Sequence, residues 1–333
     1  MDTKNNNQDE NIENTIMSDE DLRKLILKPL ADPVVEAIFA NEDVAGLAAQ
    51  SLVNAVLEMD GDPPMGEIIR LTAQKTSTNL FSRSFRLDIE GLANGELCDI
   101  EVQLNSMRMT DRAFLYAGQL AGINAKRGDT MPQVLKKMPR ILMININWFE
   151  VRPDHPDFTQ PVDLMYRKPS PKTNKYELAS DRVHIYNVDV SNFMENVLQE
   201  LKEKPYDPAA PKLFYWLWAL GEAQTSGKSL LEVIQLSAAL QEHVKNDKGF
   251  SQYTERYEEV SDDMAVRRQF AIWTNERDIL ESVRAEGEKS KAIKAARNLL
   301  SLGIAPELIA KGVELPLEKV LALKPTTPPN ENE

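Results

Sequence analysis

Alternating apolar and polar residues predict a β-hairpin between Ser84 and Leu104. The first arm alternates over 85–90 and the second over 99–104, which is the period-two pattern of half-buried strands. Asn94-Gly95 lies between the arms, and this dipeptide favours a two-residue turn with both central residues at positive φ. Such a turn fixes the pairing register of the whole hairpin.

This register places four carboxylates on one face of the hairpin. They are Asp88 opposite Glu101, and Glu90 opposite Asp99. Opposed Cβ atoms are about 4.5 to 5.5 Å apart, so like charges there repel. A divalent cation with oxygen ligands would offset the repulsion, and Mg²⁺ typically needs only one or two protein carboxylates. The alternative is a solvated face whose charge is screened by neighbouring arginines, Arg83 and Arg86.

Periodicity outside the hairpin predicts a mixed first half and a helical second half. The first predicted helix has Asp32 as its N-cap and Pro33 at its first helical position, and further helices are predicted over 43–58 and 110–126. The other predicted strands cover 67–71, 140–147 and 181–190. The strand over 140–147 is almost continuously apolar, which is typical of a strand buried on both faces. Residues 152–175 are rich in Pro, Asp and Lys and are predicted to form a long loop.

From Ser191 onward the pattern predicts helices and no further strand. The predicted helical stretches are 212–222, 229–244, 262–273 and 275–285, with breaks at Gly227 and around Lys248-Gly249, and short helices follow between 289 and 323. A basic stripe opens this last unit and consists of Lys289, Lys291, Lys294 and Arg297. Because glutamates follow it, the stripe either contacts DNA or belongs to a docking or dimerisation helix.

The composition is that of a globular protein with an acidic balance. The 333 residues suggest about two domains, and the net charge of −13 argues against a protein that coats nucleic acid non-specifically, although it does not exclude a nuclease. Cys98 is the one cysteine, which excludes an intrachain disulfide and a thiolate zinc cluster. The chain has no run of eighteen apolar residues and no secretory-type start, so we expect no membrane contact and a cytoplasmic location.

Two short motifs resemble the core of the PD-(D/E)XK nuclease superfamily. They are Arg83-x-x-Arg86-Leu87-Asp88 and Glu101-Val102-Gln103. Their order is most similar to the recombination-promoting nuclease (Rpn) branch, in which Gln stands where other members carry Lys. The segment DPVVEAIF at 32–39 resembles the helix that opens the Rpn module, although Val-Glu replaces the usual Phe-Lys.

The resemblance implies an α+β (α/β) fold. We expect a restriction-endonuclease-like core with a mixed central sheet flanked by helices, followed by an all-α C-terminal region. The expected division of the chain is a disordered acidic tail at 1–21, a nuclease-like domain at 22–192, a helical region at 193–285, a small helical unit at 286–324 and a disordered tail at 325–333.

The resemblance also implies a metal-dependent DNA endonuclease of the transposase-like, recombination-promoting type. Asp88, Glu101 and the main-chain carbonyl of Val102 would hold Mg²⁺, or alternatively Mn²⁺, which activates water and stabilises the phosphate in the transition state. Gln103 would orient the attacking water by hydrogen bonds but cannot readily act as a base. The expected partners are DNA and, as an open alternative, a second copy of the chain.

Further residues are candidates for a supporting role. Arg112 and Tyr116 lie on one predicted helix face, similar to an Arg-Ala-x-x-Tyr helix of the family. Arg112 either reaches a phosphate, orients a carboxylate or forms an ion pair at the rim. Arg86 would add positive charge near the metal, and Asp32 and Glu36 lie on the opening helix. The alternative function is a nuclease scaffold that has lost activity and binds DNA or protein.

Overall fold

The computed structural model describes residues 17–40, 42–77, 85–93, 96–104, 109–121, 125–153 and 155–323. Within these ranges the side chains of 42–45, 70–77, 85–90, 93, 109, 119, 284 and 288 are not described. The Asn94-Gly95 turn, Arg83, most of the predicted N-terminal tail and the whole predicted C-terminal tail lie outside the described residues. The first helix begins at Asp19, inside the stretch predicted as the N-terminal tail.

The described elements confirm the predicted class, a mixed sheet with helices around it and an all-α region after it. The strands are β1 Arg70–Ser77, β2 Phe85–Ala93, β3 Glu96–Gln103, β4 Arg140–Asn147, β5 Thr159–Asp163 and β6 Val183–Asp189. The helices are α1 Asp19–Lys24, α2 Asp32–Phe39, α3 Glu42–Met59, α4 Met109–Ala121, α5 Met131–Lys137, α6 Val190–Asn196, α7 Leu198–Lys202, α8 Lys212–Thr225, α9 Leu230–Leu236, α10 Ala238–Asn246, α11 Lys248–Asp262, α12 Met264–Ser301, α13 Pro306–Gly312 and α14 Leu317–Leu321.

The described strands form one mixed sheet in the order β1-β2-β3-β4-β6-β5. β1, β2 and β3 are antiparallel neighbours, whereas β3, β4 and β6 run parallel and β5 pairs antiparallel with β6 at the edge. β4 lies in the middle of the sheet and is buried on both faces, as its continuous apolar run predicts.

The hairpin register is confirmed over the described pairs. Ile89 pairs with Ile100 and Glu90 pairs with Asp99, as the Asn-Gly turn requires. Asp88 precedes Ile89 on β2, and Glu101 follows Ile100 on β3. Continued by one residue, the register therefore brings the backbone of Asp88 opposite Glu101.

Helix α4 connects the parallel strands β3 and β4 and covers one face of the central sheet. The residues in this contact are Ala113, Tyr116, Ala117 and Leu120 on the helix and Leu97, Ile141, Met143 and Ile185 on the strands. Side chains alternate between the two faces of a strand, so residues two or four positions further along share the face of these apolar residues. This is the face on which Glu101 lies.

The two edge strands differ from the prediction. β1 covers 70–77 instead of 67–71, because its pairing with β2 begins at the bond from Ile69 N to the Leu92 oxygen (2.8 Å) and continues to Ser77. β5 lies in the stretch predicted as a loop. The prediction missed this strand because it contains Pro161, which is unfavourable inside a sheet. An edge strand tolerates proline, because the N–H groups on its outer side need no partner in the sheet.

The helices after β6 are predicted correctly in type, but their bounds differ. α12 runs for 38 residues without the predicted interruptions. The pattern does not indicate α11, because Lys248-Gly249 is typical of a break between helices. In the structure α11 begins there, since the Asp247 carboxylate caps it by accepting from the N–H groups of Gly249 and Phe250 at 2.9 and 3.0 Å. Long as it is, α12 is not apolar enough to cross a bilayer, and neither is any other helix in the described ranges.

Two compact units divide the chain, Met1–Phe270 and Ala271–Glu333. The first holds the sheet and helices α1–α11, of which α11 packs against α2 and α3. In the second, α13 and α14 pack with the end of α12 around Ala296, Ile309 and Val320. The finer domain boundaries expected after residues 192 and 285 stay predictions.

Candidate active site

The polar side chains of β3 lie on the face that α4 covers. Asp99 and Glu101 are 0% and 1% exposed, and Gln103 is half-buried at the end of the strand. Leu97, on the same face, packs against α4. Because both carboxylates are buried under a helix, the alternative of a solvated charged face is wrong for Asp99 and Glu101.

Four residues of β3 and α4 form a group that we call the Glu101 cluster: Glu101, Gln103, Arg112 and Tyr116. Arg112 Nη2 lies 3.0 Å from Glu101 Oε2, and Gln103 Nε2 donates to the same oxygen at 3.3 Å. Arg112 Nε donates to the Tyr116 hydroxyl at 2.7 Å, and the guanidinium lies 5.0 Å from the centroid of the tyrosine ring. One guanidinium therefore links the buried carboxylate to the helix that covers it.

The Glu101 cluster opens to solvent on the Arg112 side. The Arg112 side chain is 28% exposed, whereas the Glu101 side chain is 1% exposed. A buried carboxylate is stable only when cations and hydrogen-bond donors surround it, and the planar guanidinium supplies several donors at once. Arg112 thus reaches Glu101 while part of its side chain stays accessible to a ligand.

Tyr116 is held as a neutral phenol in this cluster. Burial raises its pKa to about 12, and the nearby negative charge of Glu101 acts in the same direction, against the opposing effect of Arg112. The hydroxyl therefore keeps its proton over the physiological pH range. It orients Arg112 by accepting the Nε hydrogen.

For the other hairpin residues predicted to hold the metal or add charge, the structure describes mainly the backbone position. Asp88 and Arg86 lie on β2, and their side chains are outside the described residues. Val102 is buried on β3 between Glu101 and Gln103. The structure therefore brings Glu101, Gln103, Arg112 and Tyr116 together, and it places Asp88 on the neighbouring strand β2, one residue before the Ile89–Ile100 pair.

The remaining candidates lie on two other helices. Asp32 is the first residue of α2, where it is exposed, and Glu36 is half-buried one turn later. The helix start is one residue earlier than an Asp32 cap implies, because Ala31 is the N-cap residue. In the second compact unit the basic stripe lies on α12 and is exposed; its members are Lys289, Lys291, Lys294 and Arg297.

Comparison with protein families decides what this arrangement belongs to. A family model described as PD-(D/E)XK nuclease family transposase matches residues 29–271, well over half of the chain. The chain belongs to this family. The match confirms the resemblance to the Rpn, transposase-like branch, and it ends within one residue of the first compact unit. No match was found among curated proteins or solved structures.

PD-(D/E)XK nucleases generally use divalent metal ions, and the oxygen donors of this chain fit such an ion in kind. Glu101 offers a carboxylate, Asp88 a second one and Val102 a main-chain carbonyl, which are the hard oxygen ligands that Mg²⁺ and Mn²⁺ prefer. Within the described ranges no three His, Cys, Asp or Glu side chains surround a common metal position. A magnesium site does not require three, because water completes its octahedron.

Sequence reasoning missed a row of buried polar residues beside the Glu101 cluster of this PD-(D/E)XK chain. Asn145 and Asn147 lie on β4, and Asn187 and Asp189 lie on β6; each is at most 1% exposed. In register, Glu101 neighbours Asn145, which neighbours Asn187. Two asparagines spaced by two in an apolar strand were an available signal, since they share one face and need polar partners there.

Asp189 closes this row at the end of β6. Its Oδ2 accepts from Val151 N and from Gln160 Nε2, both at 3.1 Å. Burial raises the pKa of Asp189 to about 6, and the negative charge of Glu150 contributes in the same direction. The donors stabilise the ionised form only in part, so Asp189 titrates close to neutral pH.

Proposed function

We propose that this chain is a metal-dependent DNA endonuclease of the transposase-like, recombination-promoting type. It hydrolyses phosphodiester bonds with Mg²⁺, or alternatively Mn²⁺, held by Asp88 and Glu101. The observation that carries the proposal is the Glu101 cluster, a buried carboxylate held by a guanidinium and an amide in a member of a nuclease family. A cytoplasmic location and self-association of the chain are predictions that accompany this proposal.

The residues of the proposed site have separate tasks. Asp88, Glu101 and the Val102 carbonyl hold the cation, which when bound lowers the pKa of a bound water and neutralises charge on the phosphate. Arg112 contacts Glu101 Oε2, and because its side chain is 28% exposed, a phosphate oxygen can approach the guanidinium from solvent. Gln103 donates to Glu101, and its own side-chain oxygen can accept from the attacking water.

Arg112 compensates for the neutral side chain at position 103. Other superfamily members resemble this chain but carry Lys where Gln103 stands, and an amide supplies no positive charge. The Arg112 guanidinium lies 3.0 Å from Glu101 and is permanently charged. It therefore provides the cationic stabilisation that the developing charge on the phosphate requires.

A catalytically inactive nuclease fold that binds DNA or protein is the second candidate function. The Arg112–Glu101 ion pair favours it, because the guanidinium occupies Glu101 Oε2 and so competes with a cation for this oxygen. In both cases we assign DNA contact to the basic stripe of Lys289, Lys291, Lys294 and Arg297, which is exposed along α12.

Plasmid nicking tests the proposal. The wild type should nick supercoiled DNA with Mg²⁺ or Mn²⁺ and not with EDTA, and Asp88→Ala or Glu101→Gln should lower the rate at least about 100-fold, because each removes a carboxylate ligand. Glu96→Gln is the matched control, since Glu96 lies on the same strand and also pairs with an arginine, Arg140, at 3.0 Å.

The outcomes separate the two functions. Nicking at the wild-type rate by Glu101→Gln would contradict the assigned site. If neither the wild type nor Glu96→Gln nicks DNA although circular dichroism shows both folded, the inactive binding protein is favoured.

A further inference from the structure

Asparagine side chains continue the polar face from the Glu101 cluster across the sheet. Asn145 lies in register with Glu101 on one side and with Asn187 on the other. All three share the face covered by α4, and their exposures are 0%, 1% and 1% in that order. Because neighbouring strands are about 4.8 Å apart, Asn145 is the first side chain beside Glu101 in the direction of β4.

Hydrogen bonds fix the orientation of the Asn145 amide. Asn145 Nδ2 donates to Asn187 Oδ1 at 2.9 Å, so the nitrogen is directed toward β6. The Oδ1 atom of this amide is therefore not the atom that faces Asn187, and the strand on the other side of Asn145 is β3, with Glu101 in register. Asn147 has its nitrogen engaged as well, since its Nδ2 donates to the main-chain oxygen of Asn145 at 3.2 Å.

The amide oxygens on β4 are buried acceptors in need of a donor. Neither Asn145 Oδ1 nor Asn147 Oδ1 has a hydrogen-bond partner in the part of the chain that the structure describes. A buried acceptor without a donor costs about 1–3 kcal/mol. Glu101, the neighbour of Asn145, is itself an acceptor, so the two side chains cannot satisfy each other. An occupant between them must bring O–H donors or positive charge.

We propose that Asn145 is an additional residue of the cation site. Its Oδ1 is a neutral oxygen ligand of a hydrated divalent cation, and Asn187 orients the Asn145 amide. The inference rests on the proposed function, because it requires a cation at Glu101. A divalent cation and its waters provide both the positive charge and the O–H donors that suit a carboxylate beside an amide oxygen. Asn145 extends the site from β2 and β3 onto β4.

Cation binding in the absence of DNA tests the inference without reference to cleavage. Isothermal titration calorimetry of the full chain with Mn²⁺ and Mg²⁺ gives the Kd. Asn145→Leu should raise the Kd about 10- to 100-fold, the range found when residues that support a metal site are lost. Asn145→Asp should lower the Kd below the wild-type value, because it adds a carboxylate at the same place. A merely structural asparagine does not predict tighter binding by Asn145→Asp.

Two further variants control for folding. Asn145→Leu leaves Asn187 Oδ1 without its donor, so Asn145→Leu combined with Asn187→Leu removes both partners and should show the same loss of affinity in a stable protein. Asn192→Leu is the matched control. Asn192 is a buried asparagine on α6, 4% exposed, whose Nδ2 donates to the His155 oxygen, and its replacement should leave the Kd unchanged.

The inference and the proposed function fail in different ways. If Asn145→Leu and the double variant bind Mn²⁺ with the wild-type Kd while Glu101→Gln loses binding, Asn145 has no part in the site and the proposed function stands. If the wild type binds no cation at millimolar concentrations, both are overturned.

Discussion

Glu101 shows how a buried carboxylate is stabilised by residues that are distant in sequence. Arg112 and Gln103 both contact its Oε2, and Tyr116 in turn orients the arginine. The arrangement depends on the planar guanidinium, which contacts the carboxylate through Nη2 and the hydroxyl through Nε. A lysine has one compact ammonium group and cannot reproduce both contacts.

Replacing Arg112 should separate charge from geometry. Arg112→Lys keeps the charge but loses one of the two contacts, and we expect nicking to fall about 10-fold, equivalent to about 1.4 kcal/mol. Arg112→Gln also removes the charge and should lower the free energy of unfolding by about 2–3 kcal/mol, because it leaves the buried Glu101 carboxylate without its cation. The loss is moderate because the Arg112 side chain is partly exposed in the wild type. Nicking rates and urea unfolding measure the two effects.

Arg140 provides the control for this prediction. It pairs with Glu96 at 3.0 Å at the other end of β3, and both side chains are 21% exposed. Arg140→Lys should leave nicking within about twofold of the wild-type rate, because the pair is partly solvated and outside the Glu101 cluster. An equal loss in both lysine variants would contradict the role assigned to Arg112.

Asp189 should make stability depend on pH. Its pKa is about 6 in the folded chain, above the ordinary value of 3.8, so the folded state binds the proton more tightly than the unfolded state. The stabilisation by this proton is fully present below about pH 4 and is lost as the pH rises through 6. Compared with Asp189→Asn, the wild type should lose up to about 3 kcal/mol between pH 4 and pH 7.5.

Urea unfolding of both proteins over this pH range measures the difference, in which the other titrating groups cancel. A difference that is constant with pH would show that Asp189 has an ordinary pKa.

At the scale of elements, local patterns predict the centre of the sheet better than its edges. β4 and the β2–β3 register follow from a continuous apolar run and from one Asn-Gly turn, both of which are local signals. β5 contains Pro161, and β1 is polar along much of its length, so neither shows a clear pattern. These edge strands form because they pair with β2 and β6. A short stretch of sequence does not show which strand will lie beside it.

The close contact of α11 with α3 depends on a glycine. A Cβ at Gly249 would overlap Ser51 Cβ and the main-chain oxygen of Leu47, so the two helices would have to separate. We expect Gly249→Ala to lower the free energy of unfolding by about 2–3 kcal/mol. In Gly118→Ala the added Cβ on α4 meets nothing within 4 Å, and helix propensity should raise the free energy of unfolding by about 0.5–1 kcal/mol. Effects of the same sign in urea unfolding would be inconsistent with this packing.

At the scale of the whole molecule, an acidic protein is proposed to act on a polyanion. The net charge of −13 disfavours general attraction to DNA, so local cations must provide the contacts. The exposed basic stripe on α12 is one such group, and the Arg112 side of the Glu101 cluster is another. The two lie in different compact units of the chain.

Removal of the stripe should weaken DNA binding and leave cation binding intact. With Lys289, Lys291, Lys294 and Arg297 all changed to Gln, we expect the Kd for DNA to rise about 10- to 100-fold near 0.1 M salt, with a shallower salt dependence, because fewer counterions are released. Fluorescence anisotropy over a salt series measures both quantities. The Kd for Mn²⁺ should stay at the wild-type value.

The matched control changes four exposed cations of the first unit, Arg167, Lys168, Lys172 and Lys175, to Gln. It alters the net charge of the chain equally. If it weakens DNA binding as much as the loss of the stripe does, the effect belongs to total charge and the stripe has no specific contact.

The sequence by itself determined the family, the α+β class, the central strands and the position of Glu101-Val102-Gln103, because these follow from short motifs and local periodicity. Only the tertiary structure decided that Glu101 is buried, that Arg112 is its partner and that Asn145 lies beside it. The parallel pairing of β3 with β4 creates these contacts, and it joins strands separated by a whole helix. Such neighbours have no fixed spacing along the chain, so packing alone specifies them.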